Sequence, residues 1–267
     1  MKHPIGFVSE EENNRMEHTP VTPQPSLPKK SLVQVYFPER NQTLTYFNDQ
    51  FDLKQGDFVF VEGKLEKERG IVRQVLKNFK IKVADYKKVI GLADTNVTGQ
   101  LYIAGSHFVS FEPEVLSHEK VRTWYLPPEK DGEEYATGYD DTSFMLEKLS
   151  DMKASPVIFE RGREYYIEDR VVYMEVDETY GRAIVKGKHP YEVEFGFFDG
   201  GICNLTCSCP CGYTCKHEVA AMLQLKDTLE KIEKNYAHLH DGYFAAVEKS
   251  ALFRFVIQFR QTGSITL

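Results

Sequence analysis

The chain has 267 residues, of which 42% are hydrophobic and 27% are charged. This profile is typical of a soluble globular protein with one large or two small domains, each able to bury a core. Its 40 acidic residues outnumber the 33 basic ones, and the net charge of −7 excludes a protein that coats nucleic acid through bulk positive charge. Any contact with DNA must therefore come from a local basic patch.

The sequence pattern shows no targeting signal and no membrane-spanning segment. The N-terminal residues lack the apolar core of a signal peptide, and no run approaches the roughly 18 consecutive apolar residues of a membrane-spanning helix. We therefore expect a cytoplasmic protein without membrane contact. Residues 1–30 carry five of the twelve prolines and few large apolar residues, so we predict a disordered arm there.

Residues 31–111 read as a β-rich N-terminal domain. Short β-branched and aromatic segments at 31–37, 43–47, 57–63 and 70–76 are separated by Asn, Asp or Gly, and three more apolar segments lie between 89 and 111. Such spacing predicts a small barrel or a strongly bent antiparallel sheet. Residues 112–154 follow as a connector with a short helix at 141–151. Trp124 and Tyr125, which precede that helix, are expected to be packing anchors.

A basic segment interrupts the acidic chain. On alternating strands, some of its residues would share one face, as a surface that follows phosphates requires. The alternative is a solvated sheet edge, where lysines discourage edge-to-edge pairing. The residues concerned are Lys64, Lys67, Arg69, Arg73, Lys77, Lys80 and Lys82.

The C-terminal half has a regular order of elements. Ser155 is a candidate N-cap followed by Pro156 at the first helical position, and helical spacing continues to residue 170. Strands at 171–177, 181–187, 191–198 and 201–209 predict an antiparallel meander, and an amphipathic helix at 217–236 is expected to cover it. We assign residues 155–240 to one domain. Residues 241–267 are expected to form a C-terminal helix at 243–257 and a tail. The fold class is therefore α+β.

All five cysteines lie between 203 and 215, which favours metal binding over a disulfide scaffold. Cys207 and Cys209 are two residues apart on an extended segment, so both can face one ion. Cys215 and His217 follow where the helix begins. Three thiolates and one imidazole suit tetrahedral Zn²⁺ and leave no open coordination position, which indicates one structural zinc rather than a hydrolytic one.

Two cysteines fall outside this set of four. Cys211 is a possible alternative ligand in place of Cys209. Cys203 is read as a small buried hydrophobic residue. Of the eight histidines, only His217 has ligand spacing; we expect His238 and His240 to lie exposed at a helix end and His189 to lie in a turn.

The order Cys-x-Cys, a gap, then Cys-x-His at the start of a helix resembles the SWIM zinc-finger family over roughly residues 155–235. The resemblance implies a ββα zinc finger that binds DNA or protein, with Cys207, Cys209, Cys215 and His217 as ligands. In bacteria such domains often precede the motor of Swi/Snf-type ATPases, and elsewhere they occur in transposases and kinases. Residues 1–150 lie outside the resemblance.

The sequence carries no marked catalytic motif. A phosphate-binding Gly-x₄-Gly-Lys-Ser/Thr run and a Gly-x-Ser-x-Gly elbow are both missing, so we expect neither an enzyme nor a small-molecule substrate. The expected function is a zinc-binding module for DNA or protein, with Lys216 and the basic segment as nucleic-acid contacts. The alternative is an adaptor or regulatory subunit for a separately encoded Swi/Snf-type ATPase or transposase, without direct DNA contact.

Overall fold

A computed structural model of the chain describes residues 30–105, 107–129, 136, 138, 143–250 and 262–265. All but the last residue of the predicted disordered arm lies outside the described residues. The described part is β-rich, with two larger antiparallel sheets, a two-stranded sheet and a few helices, and it is consistent with the predicted α+β class.

The first sheet has five strands, which match the segments predicted for the N-terminal half. They are β1 (Ser31–Phe37), β2 (Gln42–Asn48), β3 (Phe58–Val61), β4 (Gly70–Leu76) and β5 (Val89–Leu92), in the spatial order β2-β1-β4-β3-β5. The two outer strands approach each other through a parallel bridge between Phe47 and Lys88. The sheet therefore bends strongly and encloses its own apolar core, which includes Val33, Val35 and Val59.

The second sheet has eight strands. In spatial order they are β7 (Tyr102–Ala104), β8 (His107–Ser110), β14 (Phe244–Glu248), β10 (Val171–Val176), β11 (Tyr180–Lys186), β12 (Pro190–Phe198), β13 (Gly201–Cys207) and β9 (Ser143–Met145). The four strands from β10 to β13 form the predicted meander. A two-stranded sheet pairs β6 (Asn96–Thr98) with β15 (Thr262–Ser264).

Helices cover both faces of the eight-stranded sheet. On one face, α2 (Pro156–Ile167) and α3 (Lys216–Tyr236) pack on a core that includes Val193 and Phe195. On the other face, α1 (His118–Tyr125) places Trp124, which is fully buried, in a second core and so confirms its role as a packing anchor. The predicted N-cap of α2 is confirmed, since the Ser155 hydroxyl oxygen accepts a hydrogen bond from the Ile158 amide at 3.3 Å.

Three predictions of local structure were wrong. The expected helix at 243–257 is wrong for its first part, which forms β14 between β8 and β10 with four consecutive buried residues, Phe244 to Val247. Residues 249 and 250 are helical, and residues 251–261 lie outside the described part. Short apolar runs that are buried on both sides do not distinguish a strand from a helix by periodicity. The expected helix at 141–151 is a strand, β9, followed by a 3₁₀ helix (Leu146–Asp151), with 141 and 142 undescribed.

The third wrong prediction concerns the segment 101–111. Its strands β7 and β8 do not join the N-terminal sheet but extend the eight-stranded sheet next to β14. This pairing joins residues more than 130 positions apart, so no local pattern indicates it. Within the described residues, no helix is both long enough and apolar enough to cross a membrane.

Candidate metal centre

The four predicted ligands meet where β13 ends and α3 begins. Cys207 is the last residue of β13, Cys209 follows after one residue, Cys215 is the N-cap of α3, and His217 lies in its first turn. The ligand atoms of these four residues all lie within 4.8 Å of one another. We call this group the zinc site. A turn of loop from 208 to 214 brings the two pairs together.

The two distances from the His217 imidazole to cysteine sulfurs fit a tetrahedral zinc ion. His217 Nδ1 lies 3.8 Å from the Cys207 sulfur and 3.6 Å from the Cys215 sulfur. Zinc–ligand bonds of about 2.3 Å to sulfur and about 2.0–2.1 Å to nitrogen place neighbouring tetrahedral ligands roughly 3.6–3.8 Å apart. Three of the four residues are buried, and Cys207 is half-buried. Cys207, Cys209, Cys215 and His217 are thus positioned to bind one zinc ion.

The pKa values of the three thiols show why this site suits a cation. A hydrogen bond from Cys207 lowers the pKa of Cys215 to about 4, against the effect of burial and with further help from His217 and the Glu218 amide. The same contact with Cys215, together with burial, raises the pKa of Cys207, and burial raises the pKa of Cys209 to about 12. Without a cation, the protein's own groups support one thiolate rather than three.

Backbone amides and a buried carboxylate orient the sulfurs. The Cys207 sulfur accepts a hydrogen bond from the Cys209 amide, and the Cys209 sulfur accepts one from the Cys211 amide. At the start of α3, the Cys215 sulfur accepts from the Glu218 amide, while the Glu218 carboxylate accepts from the Cys215 amide at 2.7 Å. This reciprocal pair is a capping box in which a thiol replaces the usual hydroxyl. It fixes Cys215 against the first turn of the helix.

Comparison with known proteins agrees with this geometry. A family model described as the SWIM zinc finger matches residues 191–226, from β12 to the middle of α3. The chain contains a SWIM zinc finger. The match includes all four residues of the zinc site, which confirms the resemblance drawn from their spacing. Comparisons with curated proteins and with solved structures gave no significant match.

The remaining cysteines of the SWIM zinc finger lie outside the zinc site. Cys211 is exposed, and its sulfur is not among the converging ligand atoms, whereas that of Cys209 is. The prediction that Cys203 is buried was wrong, since this residue is exposed. Asn204 has a positive φ of 48°, and the pairing with β12 shifts by one residue there. This bulge breaks the alternation of sides, so Cys203 and Cys207 do not face the same way.

Among the described residues, no other histidine belongs to the zinc site. His238 is exposed, as predicted, whereas His240 is half-buried with its ring 5.8 Å from those of Phe111 and Phe244. His189 lies in the turn between β11 and β12, as predicted.

The basic segment is divided in sequence by β4. Lys64 and Lys67 precede β4, whereas Lys77, Lys80 and Lys82 follow it. The chain then turns back, since Asp85 and Lys87 line the same surface depression as Lys64. Arg73 is exposed between them and stacks on Tyr36.

Arg69 and Lys216, the other two predicted contacts, have partners within the protein. The Arg69 guanidinium lies 4.7 Å from the ring centre of Phe58 and donates to the Trp124 carbonyl. Burial lowers the pKa of Arg69, and its side chain joins the first sheet to α1 rather than facing solvent. The Lys216 ammonium lies 4.4 Å from the ring centre of Tyr165, beside the zinc site.

A second cluster of charged residues was missed by the sequence analysis. It lies on the other face of the eight-stranded sheet and joins α1 to β10, β11 and β12 through ion pairs. Its members are His118, Arg122, Glu175, Arg182, Glu192 and Glu194, which we call the carboxylate cluster. The available signal was polar residues at alternate positions in otherwise apolar strands, which indicates one polar strand face but not its partners.

Proposed function

We propose that the chain is a non-catalytic binding module in which one structural zinc holds α3 against the end of β13. The observation that supports this most directly is the set of four converging protein ligands, which fills a tetrahedral site and leaves no position for a substrate or a reactive water. When bound, the ion supplies the charge that stabilises three neighbouring thiolates. SWIM zinc fingers mediate contacts with nucleic acid or protein, and we assign this chain to the same broad role in the cytoplasm.

DNA is the first candidate partner. The exposed cations Lys77, Lys80 and Lys82 follow one another closely after β4, in a chain that is acidic overall. Phosphate contacts of this kind give affinity that falls steeply with salt. Lys64, Lys67, Arg73 and Lys216 are further candidates, whereas Arg69 is already engaged in packing.

A gel-shift assay at low salt tests this partner. The three lysines after β4 are changed together to Glu, and the matched control changes three exposed cations outside the basic segment, Lys54, Lys148 and Arg161, to Glu. Binding that is lost only in the first variant supports a patch after β4. Equal binding by both variants and the unchanged protein rejects that patch.

The second candidate is an adaptor for a separately encoded Swi/Snf-type ATPase or transposase. The excess of acidic residues favours it, because residues 86–150 carry 11 acidic and 6 basic side chains. Affinity recovery from nuclease-treated cell extract distinguishes the two roles. Recovery of a motor protein without nucleic acid supports the adaptor, and recovery that depends on nucleic acid supports DNA binding.

A further inference from the structure

The imidazole of His217 lies in a slot formed by Tyr165, Gly187 and Tyr191, of which the first two lie outside the matched finger. We infer that His217 binds zinc through Nδ1 and that Gly187 and Tyr191 of the β11–β12 hairpin, with Tyr165 of α2, are positioning residues for its ring. This inference rests on one part of the proposed function, namely that the zinc site binds a zinc ion. Two of these three residues, Gly187 and Tyr165, precede the region 191–226 that matches the family.

The orientation of the ring identifies the binding nitrogen. Nδ1 lies 3.6 Å from the Cys215 sulfur and 3.8 Å from the Cys207 sulfur, and these are neighbouring-ligand distances of a zinc tetrahedron. Nε2 points away from the sulfurs towards Gly187, because a Cβ built on that glycine would lie 3.0 Å from Nε2. Nε2 is buried and has no hydrogen-bond partner among the described residues.

Two tyrosines, Tyr191 and Tyr165, contact the imidazole ring of His217. Tyr191 lies against it with a centroid separation of 4.6 Å and an interplanar angle of 31°, and Tyr165 meets it nearly edge-on at 5.6 Å and 62°. Tyr165 reaches this position because α2 packs tightly on the first turns of α3 at Gly162, where a Cβ would lie 2.5 Å from Val219 Cβ. These two aromatic contacts restrict rotation of the imidazole ring.

Gly187 is required for space and not for backbone conformation. Its φ is not in the positive range, so alanine fits its backbone, yet an added Cβ would lie 2.8 Å from Tyr191 Cε2 as well as 3.0 Å from His217 Nε2. The residue is fixed in place, since its amide donates to the His189 carbonyl at 3.0 Å. A methyl group there must therefore displace either the tyrosine or the zinc-binding imidazole. Outer contacts of a metal-bound histidine typically change metal affinity by about 10–100-fold.

Zinc competition with a chromophoric chelator tests the slot under reducing conditions. We expect Gly187→Ala to weaken zinc binding by about 10-fold. The matched control is Gly212→Ala, in the exposed loop between Cys209 and Cys215, where an added Cβ meets nothing within 4 Å and the φ is again not positive. Tyr191→Phe is expected to bind zinc like the unchanged protein, and Tyr191→Ala to bind it more weakly. Equal zinc affinity of the two alanine-for-glycine variants overturns the role of Gly187.

The nitrogen itself is identified on the unchanged protein, so the result does not depend on a variant that folds. Long-range proton–nitrogen correlation spectra of the ¹⁵N-labelled, zinc-loaded full chain show which imidazole nitrogen is bound to metal and which carries the proton. We expect Nδ1 to be metal-bound and Nε2 to be protonated. Metal bound at Nε2, with one zinc per chain, overturns this inference and leaves the proposed function intact. No stoichiometric zinc at all rejects both.

Discussion

The eight-stranded sheet carries a group of ionisable side chains on each face, and the two groups balance their charges differently. On the face covered by α3, the zinc site gathers three thiols and an imidazole, and none of its members is a permanent cation. On the face covered by α1, the carboxylate cluster pairs three Glu side chains with two Arg and one His. The side chains alternate along β12, where Val193 faces the first side and Glu192 and Glu194 the second.

The carboxylate cluster contains cations of its own, Arg122 and Arg182. Glu192 lies 3.2 Å from His118 Nε2 and 3.1 Å from Arg122 Nε, and Glu175 accepts a hydrogen bond from the Tyr173 hydroxyl at 2.6 Å. The two groups thus differ in what balances their negative charge. In the carboxylate cluster arginines among its own members do so, whereas the zinc site has no arginine or lysine among its members.

Removal of the metal is expected to have the largest effect. Cys209→Ser or chelation should abolish the cooperative melting of the half that contains α3, because zinc-binding free energy at such sites is folding free energy, on the order of 10 kcal/mol. Circular dichroism and calorimetry of the full chain measure this. Cys211→Ser, whose sulfur lies outside the zinc site, is the matched control and should melt normally. Unchanged helicity and a cooperative melt after zinc removal would contradict the need for an ion.

Removal of a cation from the carboxylate cluster should cost less and should not depend on chelators. Arg182 lies 3.5 Å from both Glu175 and Glu194, so Arg182→Ala leaves two carboxylates poorly compensated. We expect a loss of about 1–3 kcal/mol in the free energy of unfolding. Arg163→Ala, which removes an exposed pair with Glu160, should cost much less, because solvent screens that pair. Urea denaturation of zinc-saturated protein measures both, and equal losses would contradict the proposed balance of charges.

Acid should weaken the carboxylate cluster through Glu192. Burial acts to raise its pKa, but the hydrogen bond from His118 and the charge of Arg122 outweigh that effect, and the pKa is lowered from 4.5. The contribution of Glu192 to stability is therefore present above pH 4.5 and is lost as the pH falls through the folded value. Glu192→Gln should flatten the decline of stability in this range.

The control for the acid experiment is Glu194→Gln. Both variants keep the same zinc site, so any acid release of zinc cancels in the comparison of their denaturation curves. Glu194 is more exposed than Glu192, and its ion pair with Arg182 is longer. The Glu194 variant should therefore resemble the unchanged protein. An identical effect of both changes would show that neither carboxylate is specifically held.

The zinc site could be predicted because its chemistry lies within eleven consecutive residues, from Cys207 to His217. Its strand, loop and helix are local elements with local signals, and so is the turn between β12 and β13, where Asp199 and Gly200 both have the positive φ of a tight hairpin. The carboxylate cluster could not be predicted, because Arg122 and Glu192 are brought together by the packing of α1 on a sheet that closes through β14. The burial of Cys203 was predicted wrongly for another reason: a one-residue β-bulge at Asn204 reverses the side of the sheet that the preceding strand residues face.

The bulge at Asn204 also divides the thiols by their chemical accessibility. Cys203 and Cys211 are exposed, whereas the other three sulfurs converge on one point. We expect an alkylating reagent to modify two cysteines of the zinc-loaded protein, Cys203 and Cys211, and all five cysteines after denaturation in a chelator. Intact mass after brief alkylation therefore counts, molecule by molecule, how many copies in a preparation carry their ion.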